Sequence, residues 1–190
     1  MKSFLLFVFL SSGILQDNFY SELSEAAVFR TTQPVAYDGS YFAIGYPNGD
    51  IPSDKGVCTD LVIRSYRRIG IDLQQKVHED MMANFHLYPK NWGLNGPDKN
   101  IDHRRVLNLM KFFSRFGEVK EITNNPIDYS FGDIVTWNLG AGITHIGIII
   151  SQKSTDGKRS LVAHNIGRGP EISDCLFDFE ITGHYRYRGK

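Results

Sequence analysis

Little in this chain points to a nucleic acid, a metal ion or a membrane interior. Acidic and basic residues balance at 21 each, so there is no basic excess of the kind that tracks a phosphate backbone. The notable basic doublets, Arg67-Arg68 and Arg104-Arg105, read first as solvated helix faces. Cysteine is scarce: Cys58 and Cys175 are the only two, which excludes a cysteine-built zinc site. The stretch HEDMM at His78 has Met82 where a zinc-protease helix carries its second histidine. No Walker-type or dinucleotide glycine motif occurs, so neither metal nor cofactor is expected. The longest apolar run, Phe4 to Leu10, is too short to span a bilayer. It follows one lysine and precedes Ser11, Ser12 and Gly13, the layout of a secretory signal with cleavage after Gly13. The expectation is an exported chain, periplasmic or secreted, monomeric, with no integral membrane segment once residues 1–13 are removed.

With that leader set aside, residues 14–36 read as a helix and connector and 37–190 as one domain, without internal repeats. The helix covers SELSEAAVFR, residues 21–30, opened by Ser21 as cap. Further helices are expected from Cys58 to Ile69, over 75–86, and from an Asp102 cap through Phe116. Between the last two runs the polar loop YPKNWGLNGPDKN. After Gly117 the pattern changes to short β-rich runs: GDIVTW, THIGIIIS, RSLVAHNI and GHYRYR, with Asp156-Gly157 as a hairpin signal. Helices followed by an antiparallel sheet make an α+β fold.

The informative stretch is GVCTDLVIRSYRRIG, residues 56–70. Val62, Tyr66 and Ile69 form an apolar stripe and Gly70 is placed to stop the helix, so Cys58 falls in the first turn. There a thiol meets the positive end of the macrodipole and unpaired amides, which can lower its pKa from about 8.5. Asp60, two residues on, would oppose that if it pointed inward. The simpler alternative is a small buried hydrophobe. In an oxidising compartment Cys58 and Cys175 could also be joined, which would abolish a nucleophile.

His145 opens a strand after the turn LGAGIT and is followed two residues later by Gly147; His164 and Asn165 lie on the next strand. A cysteine at a helix start, a histidine on one strand and a polar residue on its neighbour is the nucleophile, base and orienter arrangement of cysteine hydrolases. A two-residue turn at Asp156-Gly157 would put His164 on the face of His145 but several residues along; a bulged loop could bring Asn165 opposite instead. Both stay open.

Together GVCTDLVIRSYRRIGIDLQQKVHEDM, WGL…PDKNIDHRRVLNLMKFF, YSFGDIVTW, HIGIII and HNIG resemble the YijF-like family of exported bacterial proteins of unknown function, from Tyr37 to Arg186. That family resembles, more remotely, the NlpC-type cell-wall hydrolases of the papain-like superfamily. The resemblance implies a papain-like domain with Cys58 as nucleophile, His145 as base and His164 as third residue. It also implies a tyrosine near the thiol, for which Tyr46 in GYPNGD has the spacing. The order Cys58-Thr59-Asp60 departs from those relatives, which carry aspartate before the cysteine and Ser-Gly after it. NIDHRR has no counterpart there.

The resulting expectation is a thiol amidase or endopeptidase acting on peptidoglycan stem peptides, with Arg104, Arg105 and Trp92 meeting the substrate. Two alternatives keep the scaffold: a non-catalytic cell-wall or glycan-binding module using Trp92, Trp137 and the tyrosine-rich loops, or an acyltransferase with the same triad.

Overall fold

The computed structural model describes residues 8–189, with side chains from residue 18 onward. The expected leader, residues 1–13, therefore lies outside the residues whose side chains are described. Among the described residues no helix is long and apolar enough to cross a membrane. Helix α1 spans Val8–Thr31. Ser21 is inside it, not at its start, and its hydroxyl meets Glu25 on the next turn. Leu23 and Ala27, one turn apart, are fully buried in the main core, and Ser24 Oγ accepts from the Ser151 amide at 2.9 Å. This helix is part of the core.

Two short parallel strands follow, β1 (Ala36–Tyr37) and β2 (Lys55–Gly56). They deliver the chain into α2 (Cys58–Arg68), which is capped by Ile69 and followed by Gly70, whose φ of +83° suits a residue without Cβ. Helix α3 (Leu73–Asn84) starts earlier than its apolar pattern suggests, because Asp72 caps it by accepting from the Gln74 and Gln75 amides. Helix α4 (Val106–Phe116) starts later than expected. Asp102 does not cap it; Asp102–Arg104 form a separate 3-10 turn, and the Asp102 carboxylate accepts from the Asp98 amide at 2.6 Å. Gly117 does end α4, for a steric reason: a Cβ there would lie 2.7 Å from the Arg186 carbonyl oxygen.

The rest is an antiparallel sheet of β3 (Glu118–Val119), β4 (Ile134–Asn138), β5 (Thr144–Lys153), β6 (Ser160–His164), β7 (Glu171–Ser173) and β8 (Glu180–Arg186), ordered β3-β8-β4-β5-β6-β7. The four expected strands are present; β3 and β7 extend the edges. The architecture is α+β, as the pattern change implied. One face of the sheet carries Ile134, Ile146, Ile148, Ile150 and Ala163 against the helices. The other carries Val135, Trp137, Ile149 and Val162, closed by Tyr129 and Leu176.

Register decides the site. Near the turn, Lys153 pairs with Ser160, which is the register a tight Asp156-Gly157 loop would propagate. Between Ile149 and Lys153 it shifts, so that Ile149 pairs with Val162 and Gly147 with His164. Two extra residues on β5 thus bring His164 two places nearer His145 than an unbulged hairpin would.

Candidate active site

The turn before β5 is built for an abrupt reversal. Gly140, Ala141 and Gly142 all have positive φ, and the Asn138 side chain accepts from the Gly140 amide. His145 follows as the second residue of the strand, cross-strand from Trp137. Gly147 explains the His-x-Gly spacing. A Cβ at Gly147 would lie 2.8 Å from Val162 and 3.2 Å from His164 Cβ, so its absence lets β6 and the second imidazole approach.

The two rings meet: His145 Nε2 and His164 Nδ1 are 2.9 Å apart. Beyond them, His164 Nε2 is 2.6 Å from Ser173 Oγ and 3.6 Å from Cys175 Sγ. Trp137 packs beside His145 with ring centroids 5.8 Å apart and ties its indole N–H to the Leu176 carbonyl. Both histidines are buried, and burial lowers their pKa values, that of His145 to about 3, with His164 adding to the effect. They rest as neutral imidazoles at neutral pH.

Cys58 approaches the same end of the β5–β6 ladder from the helix side. Asn165, just past β6, donates to the Gly56 carbonyl at 3.4 Å and so ties the segment before α2 to the strand end. The sulfur faces the backbone amides of Ile146, the residue after His145, and of Thr59 and Cys58 itself. Alternation along β5 sends the Ile146 side chain to the helix face and His145 to the other. Thiol and imidazoles therefore share one end of the β5–β6 ladder but lie on opposite faces of the sheet, and among the described residues no hydrogen bond joins them. Both cysteines are free thiols.

The thiol is not activated at rest. Burial pushes its pKa up to about 12; the amides oppose this and Asp60 adds to it. Desolvation outweighs the helix-start effect that the sequence suggested. Asp60 is buried, and its charge is spent within the structure. Its carboxylate accepts from the Val57 amide at 2.7 Å and is gripped at both oxygens by Arg104, at 2.9 and 3.1 Å.

Arg104 is accordingly not a substrate-facing group. Its remaining donors go to the carbonyls of Ser40 and Asp38. Arg105 and Trp92 do come together, with the guanidinium 4.1 Å from the ring centroid and Trp92 39% exposed. Thr59 Oγ1 donates to the Arg104 carbonyl at 3.0 Å, fixing this chain segment against the first turn of α2. Trp137, by contrast, is 1% exposed and offers no surface platform.

Tyr46 is held elsewhere: its ring meets His78 edge-on at 5.2 Å, and Glu79 and Asp72 are the charges it feels. Tyr37 is the tyrosine whose ionisation is disfavoured by Cys58 and Asp60, after burial. It stands on β1 beside Gly56. Sequence spacing could not find it, because a strand pair, not chain distance, brings it there. Of the orienter candidates, His164 meets His145, while Asn165 anchors the approach to Cys58. Ser173 and Cys175 complete the chain of contacts; Cys175 was singled out from sequence only as a bridge partner for Cys58 and Ser173 not at all, since the short strand β7 that carries it has no strong alternation. Among the described residues no group of three or more His, Cys, Asp or Glu side chains is arranged to hold a metal ion.

Comparison with known proteins agrees with the YijF-like resemblance. A family model described as a domain of unknown function, DUF1287, matches residues 24–187. The chain is 45% identical over 173 residues to the "Uncharacterized protein YijF" of Escherichia coli (strain K12), covering 91% of this chain and 84% of the relative. The match takes in the buried part of α1 as well as the sheet, so the chain belongs to the DUF1287, YijF-like family of unknown function.

Proposed function

We propose that the protein is an exported thiol hydrolase of papain-like type that cleaves an amide bond in peptidoglycan stem peptides. The observation that carries this reading is the coupled imidazole pair, 2.9 Å apart, at the strand end where the head of α2 brings a free thiol. His145 Nδ1, the ring nitrogen not engaged by His164, takes the Cys58 proton. The thiolate attacks the amide carbonyl, forming the C–S bond, and the first-turn amides of α2 stabilise the oxyanion. The C–N bond breaks as His145 returns its proton to the leaving amine. Water, deprotonated by His145, then attacks the thioester and releases the carboxylic acid and the thiol. His164 holds His145 and shares its positive charge, and Tyr37 adds a hydroxyl near the sulfur.

With a thiol at about 12, an imidazole at about 3 and the two on opposite faces of the sheet, no resting ion pair exists, so the proton moves only after substrate binding swings the side chains together around the strand end. Arg105 on the Trp92 face supplies a cation for a stem-peptide carboxylate. The test is incubation of the mature protein with purified stem peptides and disaccharide peptides, read by mass spectrometry. A hydrolysis product absent with Cys58→Ala and with His145→Ala is expected; a product that persists in either variant contradicts the proposal.

A second reading is favoured by the same thiol. A sulfur this deeply protonated suits a ligand-binding module in which Cys58 only fills space. Unchanged binding of the cell-wall fragments by Cys58→Ala, with no turnover by the wild type, would select it.

A further inference from the structure

The contacts of His164 reach past the three residues of the proposed triad. We propose that Ser173 is a positioning residue that accepts the His164 Nε2–H while His145 carries the proton taken from Cys58. The inference rests on the thiol-hydrolase reading and adds a fourth member to its machinery.

The reasoning follows the protons. Once His145 has accepted a proton it is an imidazolium, and both of its nitrogens are donors. The His145 Nε2–H must then point to His164 Nδ1, 2.9 Å away, so that nitrogen acts as acceptor. A neutral His164 that accepts at Nδ1 carries its own hydrogen on Nε2. His164 is 2% exposed, so water cannot readily satisfy that N–H. Ser173 Oγ lies 2.6 Å from it. The other neighbour, Cys175 Sγ at 3.6 Å, is a weaker acceptor. Ser173 is free to accept because a hydroxyl carries two acceptor lone pairs whatever the direction of its own hydrogen.

The hydrogen-bond order is therefore His145 to His164 and His164 to Ser173, with no bond made or broken among them. Without Ser173, protonating His145 would leave the buried His164 N–H with only the weaker sulfur acceptor, and His145 would become a weaker base.

The test uses the mature protein in two measurements. Peptide-resolved mass spectrometry follows iodoacetamide alkylation of Cys58 against pH. Ser173→Ala is expected to slow it about ten-fold near pH 8, with Ser173→Thr restoring most of the rate because it keeps the hydroxyl. A Ser173→Ala profile identical to wild type, or a Ser173→Thr as slow as Ser173→Ala, would overturn the proposal. Imidazole nitrogen NMR of the wild type reads the tautomer directly and is immune to folding defects in the variants. His164 protonated on Nε2 is expected; protonation on Nδ1 overturns the proposal. If His164 has the expected tautomer but Cys58 alkylation ignores His145→Ala, it is the hydrolase reading that fails, and the two failures are told apart.

Discussion

Two buried polar networks flank Cys58, and they are built on opposite terms. On the helix side, Asp60 and Arg104 form a charged pair in which both carboxylate oxygens and every type of guanidinium nitrogen have partners. On the sheet side, His145, His164, Ser173 and Cys175 form a neutral chain of groups that can each both give and accept a proton. A closed network of fixed charge has nothing left to offer a substrate and serves to hold α2 in place. An open, titratable one can change state. The difference separates scaffold from chemistry more sharply than burial does, since Asp60, Arg104, His145 and His164 are all buried.

Breaking the charged network is expected to have the largest effect on folding. Arg104→Ala leaves Asp60 buried without its partner and should destabilise the protein by about 3–5 kcal/mol, measured by urea unfolding. Arg104→Lys should recover little, because a point charge cannot engage both oxygens. If Arg104→Ala unfolded at the wild-type midpoint, the scaffold role assigned to this pair would be wrong.

Next in size is Gly147→Ala, which inserts a Cβ between β5 and β6. A cost of about 1–3 kcal/mol is expected from overpacking. Cys58 alkylation should slow beyond what that cost explains, because His164 is pushed from His145. Loss of stability with an unchanged alkylation rate would mean that the glycine serves packing alone.

The neutral network should also show in acid. His145 and His103 have folded pKa values of about 3 against 6.5 in the unfolded chain, both chiefly from burial. A depressed folded value means the unfolded state binds more protons below 6.5. Stability from these groups is thus complete above pH 6.5 and is lost as pH falls toward 3, at up to about 1.4 kcal/mol per pH unit per proton. Asp102 runs the other way: burial raises it from 3.8 to about 6, so its contribution is present below 3.8 and lost as pH rises through 6. The net expectation is a falling unfolding free energy between pH 6.5 and 4, shallower than two histidines alone would give. His103→Asn should flatten it further. A flat profile over that range would contradict the neutral burial of the histidines.

The smallest expected effect sharpens the local geometry. Tyr37→Phe should change the Cys58 alkylation rate a few-fold, while Tyr46→Phe should leave it unaltered. The reverse pattern would restore the tyrosine that sequence spacing favoured.

The sheet was legible because β-branched runs such as HIGIII and SLVAH have no competing helical period, and α2 because its stripe ends at a glycine with positive φ. His145 and His164 were legible as residues on one face. Their actual separation was not, since it depends on the two-residue bulge in β5. The shift falls between Ile149 and Lys153, where the exposed run Ser151-Gln152 reads equally as the solvated end of an unbulged strand. Asp102 looked like a cap because the sequence shows an aspartate before an apolar period; it does not show the competing Asp98 amide. Arg104 looked exposed because helix arginines usually are, and its partner Asp60 is 44 residues away in the chain. Ser173 was invisible for the same reason: its meaning comes from the strand beside it.

The central claim is that the Cys58 sulfur and the His145 imidazole act as one unit at the end of the β5–β6 ladder. The rate of iodoacetamide alkylation at Cys58, in wild type and in His145→Ala, measures that coupling directly. A rate at pH 8 at least ten-fold lower in His145→Ala, with the fold intact by circular dichroism, is the expected result. Equal rates in the two proteins would show that the thiol and the imidazole share a neighbourhood but no chemistry.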